Sequence, residues 1–330
     1  MSSHPPFSWH EDHRGVTLHC PYWTFRYDLP LGLFDLLSPA FPAFQVRWAR
    51  ARALYRRGTR LLSVGSDDGH VQDWQVGPVE GRMGPGLRLR VRCNSSRRPA
   101  LEFAASLFRD SPFLVLELAL HNTRPQEITV EALQPLEIDP QWGGKVTLGS
   151  PISGVYRAGW QSWSVAGWRQ STAREQRSYL GPLSGPMHDS SSLPPLLPGR
   201  FRADLVGVLT PLREGAALLC GLVSAADQFG ALQVTLRGTR PDLTFTCFAD
   251  GLPLAPGERV SSERVALLLA WPGENLLGVY GEALGQGMEG KTPVRAPRGW
   301  CSWTAFYRRL GEEDVLRQVE WLAGRRALLP

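Results

Sequence analysis

The stretch Leu87-Arg-Leu-Arg-Val-Arg-Cys93 alternates apolar and charged residues without a break. Only a chain that turns successive side chains to opposite sides can bury one set and hydrate the other, so this period of two demands a half-buried β-strand. The pattern recurs. Leu232, Val234 and Leu236 alternate with Gln233, Thr235 and Arg237, while Leu243–Phe248 and Val265–Trp271 are two further β-rich runs. Phe113–Leu120 is almost continuously apolar, as expected of a strand covered on both faces. The 34 glycines and 27 prolines punctuate these runs with turns. Short strands between turns predict an antiparallel sandwich or barrel.

Two segments depart from that period. Leu276, Leu277, Tyr280 and Leu284 fall on one face of a short helix over 274–284. Gly311–Leu322 opens with Glu312, Glu313 and Asp314, where negative charge suits a helix N-terminus, and carries an apolar stripe at Val315, Val319 and Leu322. Between the two helices lies a Gly- and Pro-rich stretch, and then a run that reads as a buried strand, Gly299–Trp303.

Composition narrows the function classes. The net charge of +5 is carried by arginine, Lys145 and Lys291 being the two lysines. The densest group, Arg47 to Arg60, stands beside no nucleic-acid-binding motif, and solvated strand faces account for it. The five cysteines include no C-x-x-C pair, so neither a disulfide framework nor a zinc site is expected. No secretory leader is recognised, and no apolar run approaches the ~18 residues needed to cross a bilayer. A cytoplasmic protein without nucleic-acid or membrane partners is expected. His10-Glu-Asp-His13 spaces its histidines three apart, not the four that a helical zinc motif needs. Asp67 and Asp68 read as turn chemistry, and His188-Asp189 lacks a nucleophile elbow.

Two tryptophan clusters remain. Gly159-Trp-Gln-Ser-Trp-Ser164 sets two indoles around a polar pair, with Trp168 soon after. Indole faces stack on the C–H faces of sugar rings, and amide and hydroxyl groups reach sugar hydroxyls; equally, both tryptophans would serve as the core of a turn. The second cluster lies in Arg298-Gly-Trp-Cys-Ser-Trp-Thr-Ala-Phe-Tyr307, where Trp303 and Thr304 would stand at the C-terminal end of the predicted strand.

Read together, Gly-Trp-Gln-Ser-Trp followed by more than a hundred residues of β-rich chain and then Gly-Trp-Cys-Ser-Trp resembles the α-galactosidases of the melibiase and raffinose-synthase group. The resemblance is clearest over 155–330. It implies a mainly β chain: a β-supersandwich over 1–284, a linker over 285–298, and over 299–330 the first strand and helix of a truncated (β/α)8 barrel. It further implies that Trp163 and Trp303 wall a galactose pocket, with Trp160 and Gln161 as weaker sugar contacts. Thr304 departs from relatives that carry an aromatic there. The group's chemistry is retaining hydrolysis by two aspartates on later barrel strands, without metal or organic cofactor. No carboxylate of residues 1–330 matches either role, so no catalytic residue is assigned and the chain alone is expected to be silent. The implied partners are α-galactosides in a complete enzyme, with a homo-oligomer or a complementing C-terminal chain. The alternative is a non-catalytic β-sandwich module that binds carbohydrate or a partner chain.

Overall fold

The computed structural model describes residues 7–95, 97–159, 164–174, 197–236, 240–290 and 300–325, the side chains of 70–72 apart. The chain divides into two compact units, Met1–Gly290 and Lys291–Pro330.

In the first unit, strands β1 to β11 are Ser8–Glu11, Gly15–His19, Thr24–Asp28, Leu33–Leu37, Phe44–Arg57, Arg60–Gly65, His70–Val79, Gly86–Asn94, Ala100–Phe108, Leu114–His121 and Ile128–Ile138. Strands β12 to β21 are Lys145–Leu148, Ile152–Arg157, Gly167–Gln170, Arg200–Asp204, Val206–Pro211, Ala217–Leu222, Gly230–Thr235, Asp242–Leu254, Arg259–Ser261 and Val265–Ala270. They form two antiparallel sheets. The first runs β1-β2-β3-β4-β5-β11-β19-β18-β15, with β6 and β12 also on β5; the second runs β14-β13-β16-β17-β21-β10-β9-β8-β7, with β20 on β10. A mainly β, two-sheet sandwich is one of the two architectures the alternation left open.

The sheets face each other across one large core. Phe103 of the second sheet stacks on Phe34, Tyr27 and Phe25 of the first, at ring separations of 5.0, 5.8 and 6.2 Å. Trp9 and Trp74 meet edge-to-face at 6.3 Å, joining the outermost strands β1 and β7. On the opposite side the chain passes from β15 in one sheet to β16 in the other through Leu205, at φ +64. Leu205 donates its N–H to Gly230 O at 2.8 Å and accepts from Leu222 N at 2.9 Å, tying the corner to both sheets.

The central strands of the second sheet are buried on their outer face too. Leu114 and Leu116 of β10 enter the main core while Val115 joins a smaller one with Leu219, Leu268, Leu276 and Tyr280. The cover is helix α1, Leu276–Gly287. Asn275 caps it, its Oδ1 accepting the Gly278 N–H at 3.0 Å. Of the expected helical face, Leu276 and Tyr280 are buried, Leu284 is partly buried and Leu277 is exposed. The helix runs three residues beyond Leu284, into the stretch expected to be linker.

The second unit contains the short helix α2, Trp303–Phe306, a 3-10 turn at Tyr307–Arg309, and α3, Glu312–Ala323. The expected Gly299–Trp303 strand is not seen. Gly299 lies outside the described residues, Trp300–Ser302 join no sheet, and Trp303 opens a helix. The cause is elementary: an extended backbone must give its N–H and C=O groups to a neighbour, and the described residues of this unit contain no second strand. The helix over 312–323 forms as its acidic first turn implied, and Asp314 accepts the Gly311 N–H at 3.1 Å. Among the described residues of this unit, neither α2 nor α3 holds a buried one.

Because Phe103 bridges the two sheets, Phe103→Ala should lower the unfolding free energy by about 3–5 kcal/mol. Urea denaturation of the purified variant checks this; a loss below about 1 kcal/mol would contradict a core centred on this ring.

Candidate functional site

The first tryptophan motif falls in the hairpin β13–β14, at the edge of the second sheet. Pairing runs from Gly154↔Gln170 to Arg157↔Gly167, which leaves 158–166 as its loop. Trp160, Gln161 and Trp163, all expected sugar contacts, lie outside the described residues; the neck from which they spring does not. Ala158 O accepts the Asp204 N–H at 2.9 Å, and Ala158 N donates to Val206 O at 3.3 Å. A Cβ on Gly159 would stand 2.3 Å from Ser164 Cβ, so only glycine lets the two legs of the loop close there.

Charge is buried beside this neck. Arg157, Arg202 and Asp204 are all buried. Arg202 Nε donates to Asp204 Oδ1 at 2.7 Å, and the same guanidinium lies 5.0 Å from the Phe248 ring centre. Removing either charge would leave the other desolvated, so the pair fixes the geometry beneath the loop. Trp168, on β14, is half-exposed and donates its indole N–H to Thr210 Oγ1 at 3.0 Å.

The remaining expected contact, Trp303, belongs to the second unit. It is 49% exposed, with its ring edge-to-face against Tyr307 at 5.5 Å. Trp300 is also exposed and meets Phe306 at 6.4 Å. These aromatics therefore present apolar surface to solvent within their own unit.

The outer face of the first sheet holds a carboxylate cluster that no sequence motif announced. Arg50 of β5 is buried and donates from Nε to Glu137 Oε2 at 2.6 Å and from Nη1 to Asp67 Oδ2 at 2.8 Å. Its guanidinium lies 5.2 Å from the ring centre of Trp142. Arg52 Nε stands 3.1 Å from the same Glu137 oxygen. Burial pushes the Glu137 carboxyl upward against the pull of Arg50. Burial, followed by the charges of Asp139 and Glu137, pushes Asp242 to about 6. Two raised carboxyls could suggest an acid–base pair. Glu137, however, is buried and taken up by two arginines, so it is a structural anion and not a free nucleophile. Asp67, expected as turn chemistry, does sit in the 65–68 turn and also serves Arg50. Cross-strand register places Glu137 opposite Arg50; fourteen-residue β5 would have had to be aligned with β11 in advance to foresee it.

His10, considered as a metal ligand, stacks on His19 at 5.2 Å. Among the described residues, no group of three or more His, Cys, Asp or Glu side chains is placed to hold a metal.

No family model and no curated protein matches this chain. Solved structures do. An α-galactosidase from Lactobacillus brevis matches at TM-score 0.55 and 12% identity, over 94% of this chain and 47% of that one. The GH36 α-galactosidase AgaB of Geobacillus stearothermophilus matches at 0.53 and 9% identity, over 96% and 49%. A doubly substituted AgaA from the same organism, in complex with raffinose, matches at 0.53 and 10%, over 94% and 48%. The chain thus has the fold of the N-terminal portion of GH36 α-galactosidases and spans a little under half the length of these proteins.

Asp242 offers a pH test of the cluster. Its folded-state pKa of about 6 lies above the ordinary 3.8, so its contribution to stability is present below about pH 4 and is lost as the pH rises through 6. Asp242→Asn should therefore raise the melting temperature at pH 8 by about 2 °C, the effect of under 1 kcal/mol after discounting for partial exposure. The gap should close by pH 4; an equal gap at both pH values would refute the assignment.

Proposed function

We propose that this chain is the N-terminal part of an α-galactosidase-like retaining glycoside hydrolase acting on α-galactosides. The carrying observation is that its two-sheet fold overlays the three galactosidases above across nearly its whole length. The order of its two tryptophan motifs supports the same reading. In this reading Trp163 and Trp303 form aromatic walls of the galactose subsite, and Trp160 and Gln161 add contacts at its rim.

Retaining hydrolysis needs a nucleophile and a general acid/base ~5–5.5 Å apart. The roles of Glu137 and Asp67 in holding Arg50 leave them unsuited to either task. We therefore assign the two acids to barrel strands outside residues 1–330, on a further segment or a complementing chain. Residues 300–325 are read as the start of that barrel, which would cover the exposed face of α3. No metal or organic cofactor is required by this chemistry. The five free thiols favour a reducing compartment, and so the cytoplasm.

The test is turnover of p-nitrophenyl α-galactoside. The purified chain should give the buffer rate. Co-expression with a galactosidase fragment carrying the two aspartates should restore hydrolysis, and Trp163→Ala should then lower kcat/KM by roughly tenfold or more, as loss of a stacking wall in the transition state predicts. Hydrolysis by the chain alone that Trp303→Ala abolishes would mean the acids lie within these residues, and the proposal would fall.

A further inference from the structure

The outer face of the first sheet also carries an aromatic that the proposed activity leaves unused. Phe34 pairs with Ala49 and Leu36 with Val46, so Arg47 and Trp48 together stand opposite the single Asp35, a β-bulge. Trp48 adopts φ +54, a conformation that a bulky side chain keeps only where its surroundings enforce it. Here they do. Asp35 Oδ1 accepts the Trp48 backbone N–H at 2.8 Å while Oδ2 accepts from Arg47 Nη1 at 2.6 Å. The benzo ring of Trp48 rests against Gly143, where a Cβ would come within 2.6 Å of it. Gly143 itself has φ +88, so glycine is required there twice over.

Despite this seating the indole is 52% exposed. It borders a cavity of about 260 Å³ shared with Arg14, Arg26, Asp28 and Leu33. The rim charges are largely matched: Arg47 lies on Asp35, Arg26 reaches Asp12 at 3.1 Å, and Arg14 approaches Asp28 at 3.9 Å. Trp142, the residue before Gly143, is a second exposed indole, 66% accessible.

A fixed aromatic surface beside paired guanidinium and carboxylate groups is suited to a neutral polyol ring. The ring's C–H bonds, polarised by their oxygens, stack on the electron-rich indole, and its hydroxyls both donate to carboxylate and accept from guanidinium. A matched rim gives little net attraction to a simple ion, and the small concavity admits a single pyranose more readily than a protein side. We propose that Trp48 is the platform of a carbohydrate-binding subsite on this face. The choice of a galactosyl-bearing chain as its ligand rests on the function proposed above.

Affinity electrophoresis of the full chain tests this, in gels containing guar galactomannan or, separately, amylose. Trp48→Gly removes the indole and relaxes the backbone, so it should fold with an unchanged or raised melting temperature. The wild type should be retarded by galactomannan, with an affinity that Trp48→Gly weakens roughly tenfold or more. Retardation by amylose alone, again lost in Trp48→Gly, would support the subsite and count against the galactoside reading. Retardation by neither polymer, or equal retardation of wild type and Trp48→Gly, would overturn the proposal. A dimer in sedimentation that Trp48→Gly dissolves, without retardation, would overturn it in favour of a protein contact.

Discussion

The centre of the second sheet is buried on both faces, and the placement of everything else follows from that. Its central strands β10, β17 and β21 send alternate residues into two cores, Leu116 to one and Val115 to the other. One cover is the facing sheet and the other is α1, whose Tyr280 hydroxyl donates to Leu222 O at 2.5 Å. A sheet clamped this way has little freedom to bend. The β13–β14 hairpin on its edge therefore starts from a firm frame, and the hydrogen bond between Asp204 and Ala158 ties the described neck at Ala158 to the first sheet.

The first sheet solves a different problem. Its outer face has no apolar cover among the described elements and is instead charged, with arginines and carboxylates interlocked across β4, β5 and β11. Each guanidinium held between two anions loses less on desolvation than an isolated ion would. The same arrangement lets β5 carry its bulge, because Asp35 supplies the acceptor that a regular neighbour would have given to Trp48. Strain and charge pairing are thus two sides of one local design, and the exposed indole is its product.

Much of this was legible in the chain. The alternation of 87–93 places Leu89, Val91 and Cys93 inside and Arg90 and Arg92 outside, as found, and the apolar run at 113–120, broken by Glu117 alone, supplies most of the doubly covered β10. Local rules sufficed because each strand repeats its message every second residue. They failed where the outcome depends on a distant partner. Gly299–Trp303 has strand composition but no described strand beside it. Arg50 meets Glu137 only after a register between strands eighty-seven residues apart is set. Trp48 lies in an arginine-rich stretch that read as an ordinary solvated face, since nothing local reveals a bulge.

The two sheets are also interleaved along the polypeptide. β11 must wait for β19, and the register joins Ile128 to Leu254. At roughly 5–20 residues per second, a ribosome takes on the order of ten seconds to deliver that partner. For this interval the apolar inner surfaces of β2 to β5 have emerged into the cell with their sheet unfinished. A nascent chain of this topology therefore carries an unpaired β11 edge through much of its own synthesis, before any question of catalysis arises.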